Sequence, residues 1–365
     1  MIRRRSGIVL VVVLFFALLL ASTVATFARI ALIDHMIVRN RDARARADAL
    51  ARGGIRLATA LLLEDKLGEG NAGKPAAGTS DLNKPNKPAV AAGGSGAAKP
   101  ALDHRNQLWA RVSGAPITFE DGSTLRLDIE DAASKLNLNA VVVFDDAGVV
   151  DPKSTDLLTR LFAKVIDDIT APNEKHRYDP AELADNLIDY IDKDSIRQRG
   201  GPEDETYQKR NPPTRPANRP LLSVDELRHV EGFDARIVDA LRPYVTVYPY
   251  VDGGGINPNT APPYVLSLLF FNDGVRPRLA GEETVRSILK IRKEGGLVCG
   301  EGQSAEGCTP IHSLVTNAIF PEPRYTSDVF TVTAFAQVGD VARRVEAVLD
   351  RSTGAEPQLL FWRVL

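Results

Sequence analysis

Histidine and cysteine are scarce in this chain, and the common short motifs of enzymes are absent. The 365 residues contain no G-x-S-x-G elbow, no phosphate-binding P-loop and no H-E-x-x-H pair, and the five histidines are scattered along the sequence. A net charge of −2 and a pI of about 6.3 lack the basic excess of a nucleic-acid-binding protein. The sequence therefore predicts a protein that is not an enzyme.

Charge is also missing from twenty-one consecutive residues near the N-terminus, Ile8 to Ala28. A helix of that length crosses roughly 30 Å of hydrocarbon, the thickness of a bilayer core. Arg3, Arg4 and Arg5 precede the run without an acidic residue, which predicts a cytoplasmic N-terminus and places the rest of the chain across the membrane. A cleaved secretory signal is the alternative, although its apolar core usually spans only ~7 to 15 residues. Small residues at which such a signal would be cut are Ala21, Ala25 and Ala28.

Proline is absent from the first 74 residues, so nothing of that kind stops the helix where the apolar run ends. Residues 29–67 are dominated by alanine, leucine and arginine, and Leu50, Leu57 and Leu61 recur at helical spacing. The pair Gly53 and Gly54 interrupts this pattern. We predict one long helix from Ile8 to about Leu67, kinked at the glycines, with an apolar first half and an amphipathic second half.

Large apolar residues are scarce between Gly68 and Ala101, where glycine, proline, alanine, lysine and asparagine predominate. Such a composition cannot bury enough surface to offset the entropy of ordering the chain, so we predict a flexible insertion.

Strand patterns flank a helical block in the remainder of the chain. The turn Asp121-Gly122 joins residues 115–119 to residues 123–130, which predicts a β-hairpin, and three strand-like runs, 328–337, 341–349 and 358–365, close the sequence. Between them lie helical patterns, among them residues 282–293 and a helix-start signal from Asn257 to Pro263. The fold class is therefore α+β: a long N-terminal helix packed on an antiparallel sheet, with an all-α domain inserted between strands.

Acidic residues cluster around a glycine and proline break in the helical block. They are Asp189, Asp192, Asp194, Glu203, Asp204 and Glu205. Carboxylates from a helix end and an adjacent loop suit Ca²⁺, which accepts six to eight oxygens in flexible geometry. The spacing is not that of an EF-hand, and a solvated acidic surface is the alternative interpretation.

The only two cysteines, Cys299 and Cys308, bracket a glycine-rich loop. If the chain crosses the membrane as predicted, this loop faces an oxidising compartment, and a disulfide closing it is the simplest interpretation. The alternative is a pair of free thiols in a reducing compartment. Two cysteines without a nearby histidine do not match the ligand set of a zinc site.

Two segments, residues 227–241 and residues 257–293, have the pattern of helix-hairpin-helix units. In DNA-binding versions a glycine hairpin presents backbone amides to phosphate. Here Asp234 follows Gly232 and Phe233, which puts a carboxylate where phosphate would approach. We therefore expect packing units, and keep a membrane-anchored DNA receptor of the competence type as the alternative function.

The arginine-rich leader ending in Ser6-Gly7, followed by the apolar helix, resembles the type IV prepilin signal. Val12 occupies the fifth mature position, where major pilins carry glutamate, and this absence is characteristic of the minor pseudopilin K family of the type II secretion system. Four segments resemble signature segments of that family in the same order, although Tyr190 stands where tryptophan is usual. They are IEDAASKLNLNAV, NLIDYIDKDSIRQRGGPEDETY, RPANRPLLSVDELRHVEGFDARIVDALRPYVTVYP and INPNTAPPYVLSLL.

The resemblance implies a position at the tip of a periplasmic pseudopilus, with minor pseudopilins I, J and H as partners and the inner-membrane assembly platform nearby. It also implies cleavage by prepilin peptidase between Gly7 and Ile8, methylation of Ile8, and calcium in the inserted domain. The calcium candidates on matching positions are Asp192, Asp194, Glu203 and Asp204. The predicted localisation is a single-pass inner-membrane protein with its bulk in the periplasm.

Six segments follow from these predictions. They are a leader (1–7), the N-terminal helix (8–67), a flexible insertion (68–101), the first part of the sheet domain (102–145), the inserted helical domain (146–325) and the C-terminal strands (326–365).

Overall fold

The computed structural model describes residues 6–71, 102–146, 148–171, 178–271, 277–301, 307–315, 317–353 and 356–365. The predicted flexible insertion lies outside these described residues from position 72 to position 101, and its first four residues continue the N-terminal helix.

The described chain contains helices and strands in the order that the α+β prediction requires, so the predicted fold class is confirmed. The inserted domain is not all-α as predicted, because seven short strands lie among its described residues. The helices are α1 (Ser6–Asn71), α2 (Leu108–Val112), α3 (Leu138–Val141), α4 (Pro152–Ile169), α5 (Pro180–Ile191), α6 (Asp204–Gln208), α7 (Ala235–Leu241), α8 (Pro263–Leu266), α9 (Glu282–Lys293) and α10 (Ile311–Leu314), with 3₁₀ helices at Ala132–Ser134 and Val224–His229. The strands are β1 (Pro116–Thr118), β2 (Thr124–Asp131), β3 (Leu136–Asn137), β4 (Val245–Thr246), β5 (Phe270–Phe271), β6 (Arg278–Leu279), β7 (Leu297–Cys299), β8 (Cys308–Pro310), β9 (Ile319–Phe320), β10 (Val329–Val338), β11 (Val341–Asp350) and β12 (Gln358–Val364).

Helix α1 is 66 residues long, which corresponds to about 100 Å at 1.5 Å per residue. Its residues 9–42 are exposed, and the first fully buried one is Ala47. The helix is long and apolar enough to cross a membrane, and none of its most apolar stretch is buried against the rest of the described protein. Roughly the first half of α1 therefore projects away from the sheet.

The main sheet has five antiparallel strands in the order β1-β2-β10-β11-β12. The predicted hairpin forms its β1-β2 edge, and all three predicted C-terminal strands are present. Strand β10 is central and pairs with β2 from Phe330 opposite Asp131 to Gln337 opposite Thr124. Strands β2 and β10 are paired in the sheet, but 197 residues separate the end of β2 from the start of β10 in sequence. Residues 132–328 are therefore an insertion in the chain between two neighbouring strands.

The second half of α1 packs along one face of this sheet. Its contact stripe consists of Ala47, Ala51, Ile55, Ala58 and Leu62, spaced at one helical turn or its multiples. These side chains meet alternate residues of the strands, such as Leu125, Leu127 and Ala334, and the small alanines let the helix lie close.

Helix α1 continues unbroken through the glycine pair at which the kink was predicted, and the kink stays a prediction. A Cβ at Gly54 would lie 2.8 Å from Leu127 Cδ2 and 2.9 Å from Leu125 Cδ1, whereas a Cβ at Gly53 would meet nothing within 4 Å. Gly54 is thus a point of close approach between helix and sheet, where the absence of a side chain serves packing.

The inserted part has its own hydrophobic core, built around α4, α5 and α7. Leu136, Leu138, Val141 and Val142 belong to this core and not to the sheet. The predicted boundary at residue 146 is therefore too late, because the chain leaves the sheet after Asp131.

A further correction concerns residues 256–271, predicted as a helix opening at Asn257–Pro263. Helix α8 covers only Pro263–Leu266, and the following apolar residues form a loop and β5, which pairs with β6 and β9. All of Leu268, Leu269, Phe270 and Phe271 are buried, so the run lacks the polar face that would separate a helix from a strand.

A buried polar network joins helix, sheet and insertion. Arg351, directly after β11, donates from Nη2 to Asp103 Oδ1 at 2.6 Å and from Nη1 to Asp65 Oδ2 of α1 at 2.8 Å. Asp131, the last residue of β2, accepts hydrogen bonds from Thr260 Oγ1 at 2.5 Å and Asn257 Nδ2 at 3.2 Å, both from the insertion. The insertion is therefore anchored at the end of the sheet beside Asp65, away from the projecting half of α1.

Candidate metal centre

The loop after α5 turns back on itself and brings a distant carboxylate beside the helix end. Asp192 is the C-cap of α5, and its backbone N–H donates to Ile188 O. Gly200 and Gly201 adopt positive φ angles of 83° and 95°, which glycine reaches without steric cost. This turn sets Ile196 opposite Pro202 in an antiparallel bridge, and Glu203 follows directly.

Three carboxylates converge as a result. Oxygens of Asp189, Asp192 and Glu203 all lie within 4.8 Å of one another. The residues are 6%, 3% and 2% exposed, so the group is buried and not a solvated acidic surface.

Hydrogen bonds satisfy only part of this group. Asp189 Oδ1 accepts from the backbone N–H of Gln198 at 2.9 Å, and Asp192 Oδ2 is 3.5 Å from Gln198 Nε2. Among the described residues, Asp192 Oδ1 and both carboxylate oxygens of Glu203 have no hydrogen-bond donor. Buried carboxylate oxygens without a donor are costly, and a bound cation is one of the few ways to compensate them.

The electrostatics agree with this geometry. Burial, as the main cause, and the neighbouring carboxylates, Asp192 first, together raise the pKa of Glu203 from 4.5 to about 8. Burial likewise raises the pKa of Asp192 and that of Asp189 to about 6. Near neutral pH the three groups therefore compete for protons, a competition that a divalent cation would relieve.

The arginines of the same loop are engaged elsewhere. Arg197 Nη2 donates to Glu231 Oε2 at 2.7 Å, and Arg199 Nε donates to Asp185 Oδ2 at 2.6 Å. Three hard oxygen donors on a helix end and a loop fit Ca²⁺ better than a soft transition metal.

Two of the four predicted ligands, Asp192 and Glu203, lie in the group, and two do not. Asp194 is exposed and accepts at Oδ1 from the Ile196 backbone N–H at 2.7 Å, while Asp204 accepts at Oδ2 from Gln208 Nε2 at 3.2 Å. Asp189, part of the acidic cluster in the sequence, was not among the predicted ligands. Its spacing of three residues from Asp192 on one helix face is the signal that finds it. Calcium binding itself stays a prediction.

The other predicted sites are placed as follows. Cys299 and Cys308 form a disulfide with their Cα atoms 5.9 Å apart, and parallel strands β7 and β8 flank it. Gly7 and Ile8 lie in the first turn of α1. Processing at this bond stays a prediction.

The hairpin at residues 224–241 is closed to phosphate by its own side chain. Asp234 Oδ1 accepts from the Ile237 backbone N–H at 3.2 Å and from Tyr178 Oη at 2.9 Å, so a carboxylate caps the start of α7. That negative charge occupies the position where a phosphate would bind.

A long, half-projecting N-terminal helix packed on an antiparallel sheet defines a pilin-like protein, here with a large helical insertion. The crystal structure of the GspK-GspI-GspJ complex from enterotoxigenic Escherichia coli contains a chain with this fold. The structural match covers 90% of the present chain and 99% of the chain in that complex, with a TM-score of 0.57 and 20% sequence identity. Residues 134–250 match the family model "Type II secretion system (T2SS), protein K". Over those residues, about a third of the chain, the sequence is similar to the type II secretion system protein K family.

Relatives in three species carry the same family description. Protein K of Aeromonas hydrophila is 29% identical over 272 residues, 73% of this chain and 77% of that one. The Escherichia coli K12 relative is 29% identical over 228 residues, 60% and 65% of the two chains, and the Pseudomonas aeruginosa relative is 33% identical over 179 residues, 49% of each. The match thus spans just under two thirds of the Escherichia coli relative and about half of the Pseudomonas one.

Proposed function

We propose that this chain is a structural minor pseudopilin that caps the tip of a type II secretion pseudopilus, assembles there with minor pseudopilins I, J and H, and promotes export of folded proteins. The observation that carries the proposal is the place of the insertion. Residues 132–328 attach at the end of the sheet beside Asp65, about 55 Å along α1 from Ala28 at 1.5 Å per residue.

Such a domain obstructs stacking in one direction only. A pilin-like fibre stacks subunits through their long helices, and a broad domain at the far end of the sheet leaves no room for another subunit above it. The projecting half of α1 remains exposed and apolar, and is free to pack below among similar helices. A terminal position also suits Val12, because the chain has no carboxylate there to neutralise the N-terminal amine of a neighbouring subunit.

The same proposal covers membrane handling and calcium. The N-terminal apolar helix would hold the chain in the inner membrane until the assembly platform extracts it, after prepilin peptidase has cut before Ile8 and methylated it. The bulk of the chain would lie in the periplasm, where Cys299 and Cys308 oxidise. Asp189, Asp192 and Glu203 would hold Ca²⁺ and so fix the loop of residues 195–203 against α5.

Binding of the partners is the test. A form lacking residues 1–28 should co-purify with soluble minor pseudopilins I and J of the same system in a fixed ratio. Recovery of the chain alone, at concentrations where I and J bind each other, would contradict the proposal. A gel shift with duplex DNA at low salt tests the DNA-receptor alternative, which no contact in the described chain favours, and no shift is expected.

A further inference from the structure

A second cluster of polar side chains lines a partly open pocket in the described chain. The pocket, of about 240 Å³, lies between the segment of residues 104–106 and the last turn of α9. Its polar lining consists of His104, Arg105, Asn106, Asn259, Arg292 and Lys293, and no carboxylate lines it among the described residues.

Two arginines from distant parts of the chain are fixed side by side in this pocket. Arg105 Nε donates to Thr260 O at 2.8 Å, and Arg292 Nη1 donates to the next carbonyl, Ala261 O, at 2.7 Å. The loop that carries both carbonyls is itself held by Asn259, which exchanges two 2.8 Å hydrogen bonds with the backbone of Val298. Each guanidinium keeps further N–H donors beyond the one used in this anchoring.

The charge of this pair is not balanced within the pocket. Burial first, and the charge of Arg105 second, lower the pKa of Arg292 to about 10, so two like charges are held together at neutral pH. Lys293 adds a third cation at the rim. His104 contributes a neutral donor, because burial lowers its pKa and its Nδ1 accepts from the Asn106 backbone N–H at 3.1 Å.

The end of α9 accounts for only part of this arrangement. Cations in the last turn of a helix complement its dipole, and Lys290, Arg292 and Lys293 all fit that rule. Arg105 does not, because it belongs to another segment that the fold brings against Arg292. Placing a second guanidinium there costs free energy unless an anion lies between the two.

We propose that this pocket binds the phosphate of a soluble ligand, either inorganic phosphate or a small phosphate monoester. Two guanidinium groups and an ammonium suit a compact dianion, since each supplies charge-assisted N–H donors and the arginines can bind two oxygens at once. A pocket of about 240 Å³ has room for one such group.

A soluble source is favoured over the headgroups of the membrane that holds α1. His104 lies near Asp65, whose charge acts on it, and Asp65 is about 55 Å along the helix from Ala28. Headgroups flanking the apolar span are therefore out of reach of the pocket.

The test is a phosphate titration of the full chain in a neutral detergent, compared with chloride at equal ionic strength, and followed by melting temperature and calorimetry. Phosphate should raise the melting temperature saturably. Arg105→Gln and Lys293→Gln should each weaken phosphate binding at least about tenfold, as expected when a charge-assisted hydrogen bond is lost. Arg292 is left intact because its bond to Ala261 O also supports the fold.

Lys290→Gln is the matched control, since it removes the same charge from the same helix at an exposed position outside the pocket. Its phosphate affinity should equal that of the unaltered chain, and both Lys293→Gln and Lys290→Gln should melt normally without phosphate. Equal effects of phosphate and chloride, or equal binding by the two pocket variants and the control, would overturn the proposal. Loss of phosphate binding in phospholipid nanodiscs, with binding retained in the neutral detergent, would show that headgroups occupy the pocket and would overturn the soluble source.

Discussion

Arg351 and Asp103, which are 248 residues apart in sequence, form a buried ion pair with Nη2 and Oδ1 2.6 Å apart. Their side chains are 5% and 1% exposed. The same guanidinium reaches Asp65 on α1 and lies 4.7 Å from the centre of the Phe330 ring. One side chain thus ties the N-terminal helix, the segment before α2 and the C-terminal strands together where the insertion begins and ends.

Arg351→Met should lower the free energy of unfolding by about 3–5 kcal/mol, because it leaves two carboxylates buried without their cation. The measurement is chemical denaturation of the detergent-solubilised chain. Arg286→Met is the control, since Arg286 pairs with Glu282 at 2.5 Å in an exposed position on α9. We expect at most about 1 kcal/mol there. Equal losses in the two variants would mean that the buried network does not hold the junction.

The junction should also make stability depend on pH. Burial raises the pKa of Asp103 from 3.8 to about 7 against the pull of Arg351, and the charge of Asp131 contributes. Because the folded state holds this proton more tightly than the unfolded state, the contribution is fully present below pH ~4 and is lost as pH rises through 7. The free energy of unfolding should therefore fall over that range, by at most about 1.4 kcal/mol per pH unit for one group.

Asp131→Asn tests this origin. It removes the charge beside Asp103 while keeping an acceptor for Thr260, and it also removes the carboxyl of Asp131, whose own pKa burial raises, so the pH slope between 4 and 7 should shrink for both reasons. The acidic group near α5 contributes with the same sign in both proteins, so only the difference between the slopes is informative. An unchanged slope in Asp131→Asn would contradict this explanation.

The two adjacent glycines of α1 should respond oppositely to alanine. Gly54→Ala puts a methyl group within 3 Å of Leu125 and Leu127, and such overpacking typically costs 1–3 kcal/mol, about the amount expected here. Gly53→Ala meets nothing and should stabilise the helix by about 0.5–1 kcal/mol. Thermal melts of both variants check the pair, and a stabilising Gly54→Ala would mean that helix and sheet are not in close contact.

Calcium should stabilise the chain through Asp189, Asp192 and Glu203, by about 2.7 kcal/mol at a free concentration 100 times the Kd. Glu203→Gln should abolish this gain yet raise stability in a chelator, because it removes one of three repelling buried carboxylates. Asp204→Asn should leave both values unchanged, since Asp204 lies outside the group. Calorimetry with and without calcium separates these outcomes. A calcium response that survives in Glu203→Gln would exclude this site.

The parts of the fold that the sequence predicts are those with local signals. Helix α9 matches its predicted bounds, because two glutamates open it, basic residues close it and Gly295 follows with φ at 82°. The β10-β11 hairpin is equally local. Helix α8 is not, because the apolar run after Leu266 is buried on all sides and its structure depends on the partners β6 and β9.

The sequence predicts that the candidate metal centre is built from carboxylates, but it predicts only two of the three carboxylates that converge. Asp192 and Glu203 carry a signal in composition, but which of the six acidic residues converge depends on where the chain turns back. That turn is made by Gly200 and Gly201 and fixed by Gln198 donating to Asp189. No sequence pattern indicates that Arg105 and Arg292 lie side by side, since 187 residues separate them.

The mature N-terminus tests most directly whether this chain is handled as a pseudopilin. Intact mass and N-terminal sequencing of the protein recovered from membranes should show a chain that starts at N-methylated Ile8. A chain that retains Met1, or that is cut after Ala21, Ala25 or Ala28, would contradict that result and mark the apolar helix as an ordinary anchor or secretory signal.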